Sequence, residues 1–341
     1  MGGQRVELLV RLWQFHCRGC KKFFTPRFAA LANGAHGTER LLEKLSELAS
    51  HGDISAAARF FAIPGKTAEG WYYAYLERKR REPPGHLQPV RSLGIDELSL
   101  KKDSGNSAAC GSTTPMAGCW TVLESRDKQT LLRWLAAGKQ SGLLSELEEV
   151  TCDMWDAYPN AAKEVFGTSI RITVDRFHVM SYFQDRLTET RRDVQAGIGR
   201  ERSKELKGSR WLWLTNPENL TKEQHAELDK LKRAFPLLGK LADHREALRR
   251  IFDDRRIASA AAGMAQLKQW CERGRQLRLC ALDQFNTLLH TWMEEIANYF
   301  ASRSSNGRTE GFNRGLRSIL WRASGMRNFS HFRLRVLHQF G

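Results

Sequence analysis

A mixed α/β core, interrupted by a large all-helical insertion and preceded by a small helical domain, is the architecture the sequence predicts. Three observations carry it. Between residues 92 and 178, apolar strand-like runs alternate with helical patterns. Strand signals then stop, and residues 179–300 read as charged helices throughout. Ahead of both, residues 38–82 place apolar side chains at helical spacing around a tight turn.

The first segment contains RLWQFHCRGCKKFF, where Cys17 and Cys20 form a CxxC knuckle among basic and aromatic neighbours. Zinc takes four ligands in a tetrahedron, which a complete ribbon supplies from two such knuckles. Residues 1–30 hold one, so they read as a truncated zinc-ribbon-like knuckle with Cys17 and Cys20 as zinc-ligand candidates and His16 as a third. A surface CxxC without metal is the alternative.

TERLLEKLSELASHG then predicts a helix with Leu41, Leu42, Leu45 and Leu48 inward, ending near Gly52. Asp53 suits the N-cap of ISAAARFF, AIPGK makes a tight turn, and TAEGWYYAYLERKRRE forms a third helix. Residues 38–82 thus have a helix-turn-helix pattern. Its last helix carries Trp71, Tyr72, Tyr73 and Tyr75 and then Arg78, Lys79, Arg80 and Arg81, side chains suited to groove and phosphate contact. A helical bundle with a solvated basic end would show the same pattern. The proline-rich residues 83–91 read as a linker.

In residues 92–178, RSLGIDELSL is a strand ending in Asp96 and Glu97. KKDSGNSAACGSTTPMAGC follows, where small and turn-forming residues stand in place of a regular second strand. CWTVLESR is the next strand and DKQTLLRWLAAGKQ begins a helical stretch; VTCD is a short buried strand ending at Asp153, DAYPNAAKEVF a helix, and IRITVD a strand ending at Asp175. After the insertion, residues 301–341 return to the core with a helix over Thr309–Leu320 and a basic, aromatic tail.

Charge narrows the function. Of 341 residues, 54 are Lys or Arg and 38 are Asp or Glu, leaving +16 and pointing to a polyanionic partner, nucleic acid first. The excess sits at the ends: residues 1–92 hold fifteen basic against eight acidic residues, and residues 301–341 hold eight arginines against the single acid Glu310. No apolar run approaches the ~20 residues that cross a bilayer, and the N-terminus has no hydrophobic signal core. Seven scattered cysteines fit reduced thiols better than a disulfide framework, so a cytoplasmic location is expected.

Asp96 and Asp153 at strand ends and Glu310 on a late helix are the acids that carry chemistry. Grouped carboxylates repel unless cations neutralise them, and magnesium is the natural choice. Two such ions about 3.5–4 Å apart would clamp the attacking and leaving oxygens of a phosphoryl displacement. On a helical wheel Glu310, Asn313, Arg314 and Arg317 share one face, with Phe312, Leu316, Ile319 and Leu320 opposite. A solvated polar face is the plain alternative. Trp155 and Tyr158 suit stacking on a displaced base or packing in the core, and Trp211 and Trp213 share that ambiguity. Arg327, Arg333 and Arg335 suit DNA phosphates or a solvated basic helix.

GIDELSL, VTCDMWDAYPNAAKEVF, ITVDRFHVM and SRSSNGRTEGFNRGLRSILWRASGMRNFSHFRLRVL together resemble the ISL-three family of insertion-sequence transposases, over most of residues 92–341. The resemblance implies a ribonuclease-H-like catalytic core of the DDE superfamily, with Asp96 as first acid, Asp153 as second and Glu310 as third. Asp175 competes for the second place, but strand order favours Asp153; Asp175 and His178 then form a supporting DxxH pair. It further implies Mg2+ or Mn2+ at the acids, transposon ends and target DNA as partners, at least a dimer on DNA, and cleavage and joining of strands at terminal inverted repeats. The alternatives are a catalytically inactive DNA-binding derivative acting as a repressor, and a metal-dependent nuclease of the same fold.

Overall fold

Short parallel strands buried on both faces organise the larger part of the molecule. The computed structural model describes residues 8–26, 28, 30–31, 37–81, 89–98, 107–112, 120–323, 326 and 328–340, with the backbone alone for residues 81, 107–112, 120, 308 and 310. The linker 83–91 is outside the described residues except for 89–91, and Arg327 is outside them. Contacts divide the chain into a larger unit, residues 88–117 and 125–311, and a smaller one, residues 1–87, 118–124 and 312–341.

In the larger unit β3 (Ser92–Leu98) pairs antiparallel with β4 (Ser107–Ser112) and parallel with β6 (Glu149–Cys152), which pairs parallel with β7 (Arg171–Val174). Preceding these in the chain are β1 (Phe15–His16) and β2 (Phe23–Phe24), and β5 (Trp120–Leu123) follows β4. The small-residue segment after β3, expected to be irregular, pairs with β3 over all six residues of β4. Backbone hydrogen bonds to a neighbouring strand outweigh weak side-chain propensity there.

Residues 39–166 supply five helices: α1 (Glu39–His51), α2 (Ile54–Phe60), α3 (Gly65–Arg81), α4 (Lys128–Gln140) and α5 (Ala157–Phe166). The insertion contributes α6 (Arg176–Gly197), α7 (Arg200–Leu206), α8 (Arg210–Leu214), α9 (Lys222–Ala234), α10 (Pro236–Asp253), α11 (Ala260–Gln276), α12 (Cys280–Thr291) and α13 (Met293–Ser302). Their apolar faces build one core around Phe183, Trp270, Phe285 and Phe300 that reaches Val174 of β7. Local chemistry starts these helices: Asp127 accepts from Thr130 N at 2.8 Å ahead of α4, and Thr221 and Gln224 form a capping box on α9. Trp213 is buried with its indole N–H donated to Ser209 Oγ at 3.1 Å, whereas Trp211 is exposed.

The smaller unit packs α1, α2 and α3 with the last helix, α15 (Phe329–Phe340), and β5 lies against α15. Thr38 caps α1 and Asp53 caps α2, its Oδ1 accepting from Ala56 N at 2.6 Å. Leu42, Leu45 and Ala49 turn inward, but Leu48, expected inside, is exposed; Ser46 and Ala49 fill the inner face instead. Tyr72, Tyr73 and Tyr75, whose spacing suited DNA contact, are core residues of this unit, 1%, 7% and 9% exposed. Arg78 lies in a bidentate pair with Glu39 at 2.7 and 2.6 Å, and Lys79 and Arg80 are exposed.

The residues of α14 (Gly307–Arg322) from Phe312 onward group with the N-terminal helices, and those before it with the larger unit. Its buried stripe is Thr309, Phe312, Asn313, Leu316 and Ile319, so Asn313 lies inside rather than on the polar face with Arg314 and Arg317, which are exposed.

Candidate active site

Strand register gathers the acids. Parallel pairing sets Gly94 beside Thr151 and Cys152 beside Val174; continued along the strands, it brings Asp96, Asp153 and Asp175 level at the carboxyl edge. In open parallel sheets that edge is where loops and side chains form sites.

Asp96, Asp153 and His178 converge there, each offering one ligand atom with all three atoms within 4.8 Å of one another. His178 Nε2 lies 3.7 Å from Asp96 Oδ1, which also accepts from Glu97 N at 2.7 Å. Asp153 Oδ1 is buried without a hydrogen-bond partner. Burial pushes the Asp153 carboxyl up to about 6; His178 and Arg126 pull it down, while Asp96 and Glu97 push it further up. A buried carboxylate oxygen with no donor is costly unless a cation completes it. Two aspartates and an imidazole nitrogen are a fitting donor set for a divalent cation.

Beside the cluster, the Arg126 guanidinium pairs with Glu97 and stacks 4.4 Å from the centroid of the Trp155 ring, which is 44% exposed. Tyr158, by contrast, is fully buried.

Asp175 has another occupation. It is 2% exposed and caps α6, one oxygen accepting from Phe177 N at 2.9 Å and the other from Asn306 N at 2.7 Å. Asn306 also donates through Nδ2 to Ile95 O at 3.1 Å, next to Asp96. The start of α14 is thereby pinned to two strands, four residues before Glu310; the Glu310 side chain lies outside the described residues. A second buried acid, Glu149, is satisfied by Thr173 Oγ1 at 2.5 Å and Ser304 Oγ at 2.6 Å. Sequence reading missed Asn306 and Glu149. The SSN run ahead of a helix carried a capping signal, whereas nothing local marked Glu149.

Cys17 and Cys20 occupy the turn between β1 and β2, with Cys20 N donating to Cys17 Sγ at 3.5 Å. Hydrogen bonds from Cys20 and Gly19 lower the Cys17 thiol below its usual range. Among the described residues no third His, Cys, Asp or Glu joins them, so the tetrahedral zinc set stays incomplete there.

Known proteins point the same way as the sheet edge. The model of the ISL3 branch of DDE transposases, described as "Transposase", matches residues 93–336. The transposase for insertion sequence element IS1001 of Bordetella parapertussis is 27% identical over 342 residues, covering 98% of this chain and 82% of that protein. The transposase for insertion sequence element IS1557 of Mycobacterium tuberculosis is 24% identical over 263 residues, covering 70% of this chain and 57% of its own length.

Proposed function

This chain belongs to the ISL3 family of DDE transposases, and from that premise we propose that Asp96 and Asp153, completed by Glu310, hold the divalent cation with which it cleaves and joins DNA strands. It is a DNA transposase, and its ribonuclease-H-like core is the strand-and-helix unit described above. The observation that carries the proposal is the convergence of ligand atoms from Asp96, Asp153 and His178 within 4.8 Å of one another, at a carboxylate, Asp153, that also keeps a buried oxygen without a donor. Magnesium or manganese bound there supplies Lewis acidity toward phosphate oxygens.

The chain's own residues do the positioning. β3 sets Asp96, two residues before its end, level with Asp153 just after β6, where the sheet restricts their motion. Asp175 fixes both the first turn of α6, which carries His178, and the start of α14, which carries Glu310. Arg126 and Trp155 offer a cation and an aromatic face beside the acids, suited to a phosphodiester and an unstacked base. Residues 38–82 bind the terminal inverted repeats, supported by the exposed Lys79 and Arg80 and by a net charge of +16. Joining two ends calls for at least a dimer on DNA.

Incubating the protein with its flanking DNA and Mg2+ or Mn2+ tests this directly. Asp153→Asn is expected to keep end binding and lose both cleavage and strand-transfer products. Unchanged cleavage would falsify the assignment of Asp153. Cleavage by the unsubstituted protein without joined products favours a nuclease of the same fold.

A further inference from the structure

Away from the acids of the sheet edge, the smaller unit holds two arginines that make no ion pair with a carboxylate among the described residues. Arg335 of α15 is 7% exposed. Its Nε donates to Tyr73 Oη at 3.1 Å, and its guanidinium lies 5.2 and 5.7 Å from the Tyr72 and Tyr73 ring centroids. Arg322 of α14 donates to His51 O at 3.0 Å, Gln339 Oε1 at 3.2 Å and Ser318 O at 3.3 Å. Neither has a carboxylate partner among the described residues. Both border one cavity of about 10 Å3, the size of a single water. Two guanidiniums bordering one small cavity repel each other, and Arg335, nearly buried, has lost much of its hydration.

Both also line an open cleft of about 700 Å3 between α2, α3 and the start of α15. Arg59 and Lys66, exposed and without ion pairs among the described residues, stand at its walls. Two acids share the cleft, and one of them, Asp53, is engaged in capping α2; the other is Glu69. Four cations against two acids make the cleft a receptor for an anion.

We infer that this cleft seats a backbone phosphodiester of double-stranded DNA, gripped by the Arg335 and Arg322 guanidiniums and approached past Arg59 and Lys66. The guanidinium fork matches phosphate oxygens in pairs, and stacking on Tyr72 and Tyr73 holds the Arg335 plane ready before the anion arrives. Lys66 and Glu69 on the first turns of α3 share the cleft wall, so a strand seated there runs beside the helix assigned to end recognition. The inference rests on that assignment of residues 38–82 to DNA.

Phosphate contacts are read without knowing the terminal repeat, because each one steepens the salt dependence of binding whatever the sequence. The full chain is titrated against a fluorescent mixed-sequence duplex of about 30 base pairs over a salt series, with melting temperature recorded for each variant. Arg335→Gln is expected to lower the slope of log K against log salt by about 0.9, the value for one lost phosphate. Arg335→Lys should keep the slope and weaken binding. The exposed pair Arg59→Ala/Lys66→Ala should lower the slope at unchanged melting temperature, which decides the matter even if Arg335→Gln fails to fold. A lower melting temperature for the Arg335 variants with every slope unchanged would mean a purely structural arginine and overturns the inference. Lys79→Ala/Arg80→Ala separates the two failures: if it lowers the slope and the cleft variants do not, the cleft falls alone. If neither set changes it, the DNA reading of residues 38–82 falls and takes the cleft with it.

Discussion

The ends of β6 and β7 are near copies in sequence and opposites in chemistry. Each is a four-residue parallel strand, buried but for Arg171 at the start of β7 and followed by an aspartate, and register sets the two aspartates level. After β7, both Asp175 oxygens accept backbone N–H groups, from Phe177 and Asn306. After β6, Asp153 keeps a buried oxygen with no donor and a carboxyl raised to about 6. An acid whose lone pairs are filled by the protein is holding the protein together, and an acid left short is placed for something the protein must recruit.

Exchanging function for stability at the two sites would break the comparison most visibly. Asp153→Asn should cost several kcal/mol of transition-state stabilisation, a loss of about 10³-fold or more in strand cleavage, with melting temperature unchanged or raised. Asp175→Ala should instead destabilise the fold by about 2–4 kcal/mol, through a lost cap and a stranded Asn306 N–H, measured by urea denaturation. Equal stability losses from both substitutions would erase the distinction.

Cation binding sharpens it further. Magnesium or manganese at a hundred times its dissociation constant should stabilise the unsubstituted protein by about 2.7 kcal/mol, and Asp153→Asn should respond far less. Proton competition gives this a pH signature. The folded Asp153 carboxyl titrates at about 6 against an ordinary 3.8, so between those values the folded state holds a proton that the unfolded chain has released. Without the cation, stability falls as pH rises through that window, by up to about 3 kcal/mol. Cation-induced stabilisation should therefore grow between pH 5 and pH 7.5, as thermal melts with and without the metal would record.

Two histidines repeat the contrast on a smaller scale. His178 stands beside Asp96, whereas His244 is stacked on Trp270 with centroids 3.9 Å apart and its Nε2 buried without a partner. Burial, aided by Arg273, pushes His244 down to about 4. The unfolded chain thus binds a proton there that the folded protein refuses, and His244 lowers stability as pH falls from 6.5 toward 4. His244→Phe should flatten that limb of the pH–stability curve, provided the larger ring is accommodated against Gly274, where an added Cβ would already lie 2.8 Å from His244 Nε2.

Much of the core and of the candidate site was legible in the sequence because its cues are local. Short apolar runs end at Asp96, Asp153 and Asp175; Thr38 and Asp53 precede the helices they cap; and the loss of strand signal after residue 178 marks the insertion. The tyrosines of α3 were misjudged for the same reason, since helical spacing shows which side chains share a face and not what covers that face. Here the cover is the N-terminal helices and α15, with His331 stacked 3.6 Å from Tyr73.

By itself, then, the sequence determined most of the helices and the strands β3, β5, β6 and β7 but not β4, which acids follow the apolar runs of β3, β6 and β7, and that the chain carries the charge to meet a polyanion. Capping, periodicity and net charge depend on residues a few positions apart or on simple sums. Tertiary structure alone decided which of those acids are satisfied. Asn306 reaches Asp175 across 131 positions and Ile95 across 211, Ser304 reaches Glu149 across 155, and Arg335 settles on Tyr73 across 262. Whether a buried polar group has a partner depends on what folding brings to it from elsewhere in the chain, and no local pattern records that.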